Sequence, residues 1–542
     1  MILQVLVPIV GTLLFYILYH AGQVLYHNLT SPLRHVVGPK SPSLLVGNFK
    51  EMAEKGPRLT KQWRDEFGST FTFKGLFNVS ELHTSDVKAV AHIVQNSALY
   101  QKSPATLVLS QRLLGKGLLS VERDEHKRHA SFLSTPAFGV TQIRLLTEVF
   151  VEKSVQPRDI WSQQVEKEDG ARIDVLSWLR KMTLDVIGQA GFNYQFHGLE
   201  PDHEPDALNT VFTELFHSPQ SIRNTRFRVA QSMVPILRLL PVPGWRTAAE
   251  AYRKMTATGS QLVSESKARM NTAEGEKTVG SGRDLLSLIV KANLSTNLPE
   301  SQRLNEAEVI APSKLGILMR HIIEIPTFFL AGHETTSTAA SWALHALSHD
   351  QRVQTKLREE LLTISTDNPT MDDLNSLPYL ESVVREVMRV HAPAVFTQRM
   401  AMQDDVLPLS KPYIDRDGKA HDSLLIPKGQ MMHIPILAVN TDPEIWGQDA
   451  HEFRPERWEK IPERASAIPG VWANLMTFFA GPHTVSALLF TLIRAFKFEP
   501  GVPRDQIGPI MGGILQRPSV IGGDSKQGSG LPLIVTAYNP QL

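Results

Sequence analysis

The stretch that decides the fold is Phe329-Leu330-Ala331-Gly332-His333-Glu334-Thr335-Thr336-Ser337, which lies inside a helical pattern. Small residues at Ala331 and Gly332 allow a flat ligand to approach the helix backbone closely. Glu334 followed by the hydroxyl of Thr335 offers a path for protons beside such a ligand. Taken alone, the stretch is more typical of a buried helix with small packing residues, so its meaning depends on the rest of the chain.

A second pattern pairs an acid with a base on one helix face. Glu386 and Arg389 are three residues apart, so their side chains can meet. Most such pairs lie on the surface and contribute little to stability. Further along, Phe453-Arg454-Pro455-Glu456-Arg457-Trp458 supplies another arginine. The planar guanidinium of Arg457 could lock the pair into a buried three-way network.

A third pattern is the stretch Phe478-Phe479-Ala480-Gly481-Pro482-His483-Thr484. Glycine and proline favour a tight loop, and the aromatic residues can shield one side of it. The alternative is a plain turn before the last helix.

Composition excludes several classes of function. The chain has 542 residues, with 56 Lys plus Arg against 55 Asp plus Glu, and this balance gives no basic surplus for nucleic acid. It has no cysteine, which excludes disulfides, thiolate nucleophiles, cysteine zinc sites, iron–sulfur clusters and thiolate-ligated haem. Zinc-protease, phosphate-loop and dinucleotide motifs are also missing.

The N-terminal segment is almost wholly apolar from Ile2 to Leu18. A bilayer span needs roughly 17–25 residues, so the segment is about long enough. No cation precedes it and no small-residue cleavage site follows it, which favours a membrane anchor over a signal peptide. The first cations, beginning with Arg34, follow the segment, which predicts that the body of the protein faces the cytosol.

Periodicity predicts a mainly α body with a minor β part. Helical patterns cover about 85–265, 303–363 and 379–391, a β-like section covers about 395–435, and the last helix lies near 487–496. Short β-like runs precede them at about 70–73 and 78–82. The predicted organisation is an anchor at 1–22, a proline-containing hinge at 23–50 and one large domain at 51–542.

In this order, the motifs resemble the cytochrome P-450 family of the fungal microsomal type. The resemblance covers nearly the whole chain: anchor, hinge, oxygen-activating helix, acid–arginine pair, second arginine and haem-loop start. Each motif is weakly specific alone, and their order makes the resemblance strong.

The resemblance implies a mainly helical fold with a small β region around one haem b. It implies electrons from NADPH through a separate NADPH cytochrome reductase. The implied reaction inserts one oxygen atom of O2 into an apolar organic substrate, in fungal secondary metabolism or detoxification. The implied location is the endoplasmic reticulum membrane, single-pass and in contact with lipid, with the catalytic domain in the cytosol and no nucleic-acid partner.

The resemblance also implies roles for individual residues. Glu334 and Thr335 would deliver and orient protons. The residues expected at the haem are His126, Ala331, Gly332, Arg399, Phe478, Gly481 and His483. The residues expected to form a structural network are Glu386, Arg389 and Arg457.

The sequence departs from the family pattern where the iron ligand is expected. After His483-Thr484 the family has its cysteine, and here Val485-Ser486 lead directly into the later part of a helix, as if about a dozen residues were missing. Valine cannot ligate iron, so no metal ligand is assigned. Residues 312–324 resemble an insertion, and Ala130 occupies the position of a propionate-binding arginine, for which Arg128 or His129 could compensate.

Three hypotheses remain open at this level. One deletion and one insertion of exon size suggest a mispredicted gene model of an active monooxygenase. The second hypothesis is a catalytically dead, membrane-tethered relative, which Ala130 favours because no splicing error explains it. The third is haem ligation by His483, which would not support monooxygenase chemistry.

Overall fold

The computed structural model describes residues 2–127, 139–168, 170–200, 245–271, 284–287, 314–470, 472–477, 483–521 and 530–539. The chain forms two compact units. The first consists of Met1–Ser103, Val395–Gln448 and Pro462–Met476. The second consists of Pro104–Ala394, Asp449–Ile461 and Thr477–Leu542.

The α-helices in the described residues are, in chain order, α1 (Ile2–Thr30), α2 (Phe49–Lys55), α3 (Pro57–Phe67), α4 (Val87–Gln95), α5 (Pro104–Leu114), α6 (Val140–Glu168), α7 (Val175–Phe192), α8 (Trp245–Asn271), α9 (Lys314–His349), α10 (Gln351–Leu361), α11 (Met371–Asn375), α12 (Pro378–Val390), α13 (Ile436–Asn440), α14 (Pro443–Trp446) and α15 (His483–Ala495). The strands are β1 (Thr70–Lys74), β2 (Ser80–Thr84), β3 (Tyr100–Gln101), β4 (Ala171–Asp174), β5 (Thr397–Ala401), β6 (Asp405–Ile414), β7 (Ala420–Ile426), β8 (Met431–Ile434), β9 (Phe496–Pro500), β10 (Ile507–Gly512), β11 (Leu515–Val520) and β12 (Pro532–Ala537). Helix therefore predominates over strand, as the periodicity predicts.

Local signals explain where several helices begin. Asp350 precedes α10, and its carboxylate accepts the backbone N–H of Val353 at 3.0 Å. Thr370 and Asp373 form a reciprocal capping box at the start of α11. These side chains satisfy backbone donors that have no partner within the first helical turn.

The first unit is built on a mixed sheet with the strand order β1-β2-β8-β5-β3. The β2–β8 pair is parallel and the other pairs are antiparallel. Strands β6 and β7 form a separate antiparallel hairpin. The two early β-like runs of the sequence correspond to β1 and β2.

A buried imidazole pair lies at the centre of this sheet. His83 in β2 lies opposite His433 in β8. Their Nδ1 atoms are 3.1 Å apart and their ring centroids 5.1 Å apart. Phe71 stacks on His83 and Phe396 stacks on His433. The Nε2 atoms of both histidines are buried without a hydrogen-bond partner, so neither ring gains a charge easily.

The second unit contains an antiparallel sheet of order β4-β12-β9 and the hairpin β10–β11. Its longest helix, α9, contains 36 residues and packs against α7. The segment predicted as an insertion contributes residues 314–324 to the first turns of α9, and residues 312 and 313 lie outside the described residues. Helix α15 packs against α6.

The predicted transmembrane helix is not supported. Within the part of the chain that the structure describes, no helix is both long enough and apolar enough to cross a membrane. Helix α1 is continuous from Ile2 to Thr30 and so runs past residue 22, where the anchor was predicted to end.

The imidazole pair predicts a dependence of stability on pH. Burial lowers the pKa of His433 to about 4 and that of His83 well below its usual value. The unfolded chain takes up protons below a pH of about 6.5, before the native pair does, so acid should weaken the native state. Relative to His83→Leu/His433→Leu, the wild type should lose about 4 kcal/mol of unfolding free energy between about pH 7 and pH 5, with about 2 kcal/mol from each histidine.

Urea unfolding at several pH values measures this difference. Burial raises the pKa of Glu81, in β2, to about 7, which gives the opposite dependence. Comparing two chains that both contain Glu81 removes that contribution. His197→Gln, at a half-exposed histidine, is the control and should follow the wild type. Parallel curves for the wild type and the double variant would contradict the prediction.

Candidate functional site

The oxygen-helix motif lies in the middle of α9. The hydroxyl of Thr335 donates to the carbonyl oxygen of Ala331 at 2.6 Å, one turn earlier. The hydroxyl hydrogen of Thr335 is therefore occupied by a backbone carbonyl of α9. The hydroxyl oxygen can still accept a hydrogen bond from another donor. Ala331 and Thr335 are both half-buried.

Gly332 allows close packing between two helices. A Cβ atom added there would lie 3.0 Å from Cδ1 of Ile187 in α7, a tight contact. The glycine therefore lets α9 approach α7 closely. Sequence reasoning proposed a close approach to a flat ligand, and it did not identify Ile187 because a glycine does not specify its neighbour.

Glu334 is a buried carboxylate with a long-range partner. It is 1% exposed, and its Oε2 accepts from Nη2 of Arg517 in β11 at 2.6 Å. Burial lowers the pKa of Arg180, in α7, to about 10, and the charge of Glu334 opposes that shift. Nε2 of His333 lies 3.7 Å from Oε1 of Glu334. Arg517 thus supplies a positive partner for this buried carboxylate.

Sequence reasoning missed Arg517 and Arg180. Both are single arginines in an ordinary strand and an ordinary helix, far from residue 334 in the chain. No local spacing links them to the oxygen-helix motif, so only the packing of α7, α9 and β11 reveals the cluster.

The acid–arginine pair forms a buried network. Glu386 and Arg389 in α12 are both 0% exposed and make two hydrogen bonds, of 2.9 and 2.8 Å. Arg457 approaches the same carboxylate at 3.4 Å and donates to Oδ1 of Asp449 at 2.7 Å. This bond from Arg457 lowers the pKa of Asp449. The structure thus brings all three predicted network residues together.

Further donors complete the network. The indole N–H of Trp458 donates to Oε2 of Glu386 at 3.0 Å, and the backbone N–H of Arg454 donates to Oε1 at 3.0 Å. Arg389 donates to the carbonyl oxygens of Ala450 and Glu452. A buried charge of this kind is tolerated because every side of it is hydrogen-bonded.

The expected ligand region does not fit thiolate-ligated haem. Val485 is 2% exposed inside α15, which begins at His483. Its isopropyl group has no electron pair to donate to iron, and no cysteine occurs anywhere in the 542 residues. His483 is half-buried, and burial lowers its pKa. In addition, no group of three or more acidic or histidine side chains in the described ranges could hold a metal ion.

The remaining predicted haem residues lie in two different units or outside the described residues. His126 is half-buried in a helical turn of the second unit. Arg399 lies in β5 of the first unit, and its Nη1 donates to Thr397 Oγ1 and to the carbonyl oxygen of Gln398, each at 2.8 Å. Phe478 and Gly481 lie outside the described residues, as do Arg128, His129 and Ala130.

Comparisons with known proteins agree on one family. The model of the family described as cytochrome P-450 matches residues 37–518, which is more than half of the chain. The chain is 43% identical to cytochrome P-450 monooxygenase 128 of Postia placenta, covering 97% of each chain. It is 43% identical to monooxygenase 205 of the same fungus, covering 94% of each. It is 31% identical to ganoderic acid synthetase of Ganoderma lucidum, covering 91% of this chain and 92% of that one.

The network predicts a large stability difference between two glutamates of α12. Glu386→Gln should cost about 3–5 kcal/mol, because it leaves the buried Arg389 without its anionic partner and leaves Arg457 with Asp449 alone. Glu381→Gln, at an exposed glutamate paired with Arg385 on the same helix, should change stability by less than about 1 kcal/mol. Denaturant unfolding of both variants measures the difference in stability. Equal losses would show that Glu386 does not stabilise the buried network.

A double-mutant cycle tests the Glu334–Arg517 pair. Arg517→Met should cost about 3 kcal/mol or more, because the buried carboxylate of Glu334 loses its partner. Adding Glu334→Gln removes that charge and should recover about 1–3 kcal/mol. Unfolding free energies of the two single variants and the double variant complete the cycle. Simple additivity would mean that the two residues do not interact in solution.

Proposed function

The chain belongs to the cytochrome P-450 family, and from this we propose that its gene encodes a monooxygenase whose haem-ligand segment is missing from the present sequence. The reaction proposed for the complete protein inserts one oxygen atom of O2 into an apolar organic molecule. The observation that carries the proposal is the high identity to monooxygenases over nearly the whole length of both chains, combined with the loss of a single local segment.

Members of this family use haem and receive NADPH-derived electrons through a reductase, and haem supplies the oxygen chemistry when it is bound. The present chain cannot hold haem through a thiolate, so no reaction step is assigned to it. The complete protein would use Glu334 to carry a proton and Thr335 to orient it. The position of Glu334 next to Thr335 in α9, and its buried pair with Arg517, support this role.

Haem contacts in the complete protein are proposed for the predicted set: His126, Ala331, Gly332, Arg399, Phe478, Gly481 and His483. The network of Glu386, Arg389 and Arg457 is proposed to be structural. A largely apolar substrate and a role in fungal secondary metabolism or detoxification are also proposed, and the printed name of the Ganoderma relative, ganoderic acid synthetase, supports a biosynthetic role.

Membrane attachment through α1 is a further part of the proposal. Large apolar side chains along the helix are exposed, including Phe15 at 71% and Tyr26 at 70%. Such a surface is unusual for a protein in water and is typical of a helix that contacts lipid. We propose the endoplasmic reticulum membrane as the location, with the body from residue 51 onward in the cytosol and residues 23–50 as the connecting hinge.

A second candidate function has specific support. The chain without cysteine would be a non-catalytic relative that keeps the fold and binds apolar ligands or protein partners. The burial of Val485 within a regular helix favours this candidate, because α15 forms without the ligand segment.

Transcript sequencing and a carbon monoxide spectrum distinguish the candidates. We expect messenger RNA to contain extra codons between Thr484 and Ala487, including one for cysteine. The protein made from that transcript, once reduced, should give a thiolate-type carbon monoxide band, whereas the present chain should give none. The control is the longer chain with only its new cysteine replaced by serine.

The other outcomes are equally informative. A transcript that encodes Thr484-Val485-Ser486-Ala487 would overturn the missing-segment proposal and favour the non-catalytic relative. A histidine-type band from the present chain, lost in His483→Ala, would instead show that His483 ligates haem.

A further inference from the structure

We propose that the C-terminal end of α9 contains a binding site for a divalent transition-metal cation such as Zn²⁺, formed by the imidazoles of His345 and His349. These two side chains are called here the terminal histidine pair. They are the protein ligands of the site, and water completes the coordination of the cation. The site is separate from the haem-dependent reaction proposed above and does not rest on it.

The terminal histidine pair has the spacing of a chelate. The two residues lie four positions apart in α9, so their side chains share one face of the helix. Their ring centroids are 4.5 Å apart, and the ring planes are tilted by 59°. With a metal–nitrogen distance of about 2.1 Å, two imidazoles that bind one cation at about 90–110° have ring centroids roughly 4.5–5 Å apart. Histidines at this spacing on a helix are a known zinc-binding arrangement.

Each imidazole of the pair has a ring nitrogen without a hydrogen-bond partner. His345 is 9% exposed, and its Nδ1 is buried and unpartnered. Nδ1 of His349 lies 3.0 Å from the carbonyl oxygen of His345, which can only accept, so this nitrogen carries the hydrogen. Nε2 of His349 therefore has a free lone pair, and it is also buried and unpartnered. A ring nitrogen that donates to a backbone carbonyl, with the other left free, is typical of a metal-binding histidine.

The position at the end of a helix favours a cation. Helix α9 contains 36 residues and ends at His349, so its aligned peptide dipoles place partial negative charge there. The half-buried Asp350 adds a carboxylate next to His349 in the chain. Both features lower the free energy of a cation held at this end of α9.

The protonation state of the pair also suits a metal. Burial lowers the pKa of His345 to about 3, with further lowering by His349 and by the charge of Arg504. The imidazole is therefore neutral near pH 7 and keeps the lone pair that a metal requires. Arg504 repels a bound cation as well, but its side chain is exposed, so water and salt screen that repulsion.

The donor atoms select the class of cation. Imidazole nitrogens suit Zn²⁺, Cu²⁺ and Ni²⁺, whereas Ca²⁺ and Mg²⁺ require oxygen ligands. A further imidazole, that of His391, stacks on Trp342 with ring centroids 4.4 Å apart. Within the described ranges, no group of three or more histidine or acidic side chains could hold a metal ion. The site therefore has two protein ligands and binds more weakly than a structural zinc site with four.

Zinc-dependent stability tests the proposal. Urea unfolding of the chelator-treated full chain is measured over a range of Zn²⁺ concentrations for the wild type, His345→Gln, His349→Gln and the double variant. The dependence of the unfolding midpoint on zinc concentration gives the affinity. The chain has no cysteine, so no thiolate competes for zinc. His197→Gln, at a half-exposed histidine of another segment, is the control variant, and Ca²⁺ is the control cation.

The proposal expects Zn²⁺ to raise the midpoint of the wild type and of His197→Gln, with no such effect of Ca²⁺. Each single substitution in the terminal histidine pair should lower the zinc affinity about tenfold or more, because loss of a mere hydrogen-bond partner of a metal ligand already costs that much. The double variant should lose little more than either single variant, since one remaining imidazole cannot chelate.

Three results would overturn the inference. An unchanged wild-type midpoint in Zn²⁺ would show that the pair binds no metal. Losses that add in the double variant would mean that the two histidines bind zinc independently. An equal rise in Ca²⁺ would show a general effect of divalent salt. His349 is half-buried, so His349→Gln decides the question even if the more buried His345→Gln does not fold.

Discussion

The second unit depends on the buried carboxylate of Glu386. It accepts hydrogen bonds from two arginine side chains, an indole and a backbone amide, and it has no contact with water. Removing a charge from water is costly, so the segment Asp449–Trp458 must stay against α12 to supply these donors. These hydrogen bonds join two parts of the chain that are distant in sequence. They fix the position of the segment Asp449–Trp458 against α12.

Glu334 in α9 follows the same principle with different partners. Its charge is balanced by Arg517 from β11. The same charge acts on Arg180 of α7 and raises the pKa of that guanidinium against the lowering caused by burial. Gly332 brings α7 close to α9 on the adjoining turn. One helix thus carries a packing contact, a buried ion pair and the Thr335 hydroxyl within four residues, so substitutions made there for chemistry also change stability.

The missing cysteine removes the expected iron ligand and leaves the packing of the helices in place. Helix α15 forms with Val485 buried, and the packing of α6 against α15 does not require an iron ligand. An apolar residue at a buried helical position is stabilising wherever it lies. The fold can therefore be kept while the reaction is lost, which is why family membership and activity have to be tested separately.

The sequence by itself determined the features that depend on short spacing or on composition. The Glu386–Arg389 pair follows from the helical repeat, β1 follows from the alternation Thr70-Phe71-Thr72-Phe73, and the lack of a thiolate follows from composition alone. The same reasoning predicted a membrane-spanning helix, which the described residues do not support. Only the tertiary structure decided that Arg517 pairs with Glu334, that Ile187 faces Gly332 and that His83 stacks on His433. These contacts join residues far apart in the chain, and their geometry is set by packing across helices and strands, which no local pattern encodes.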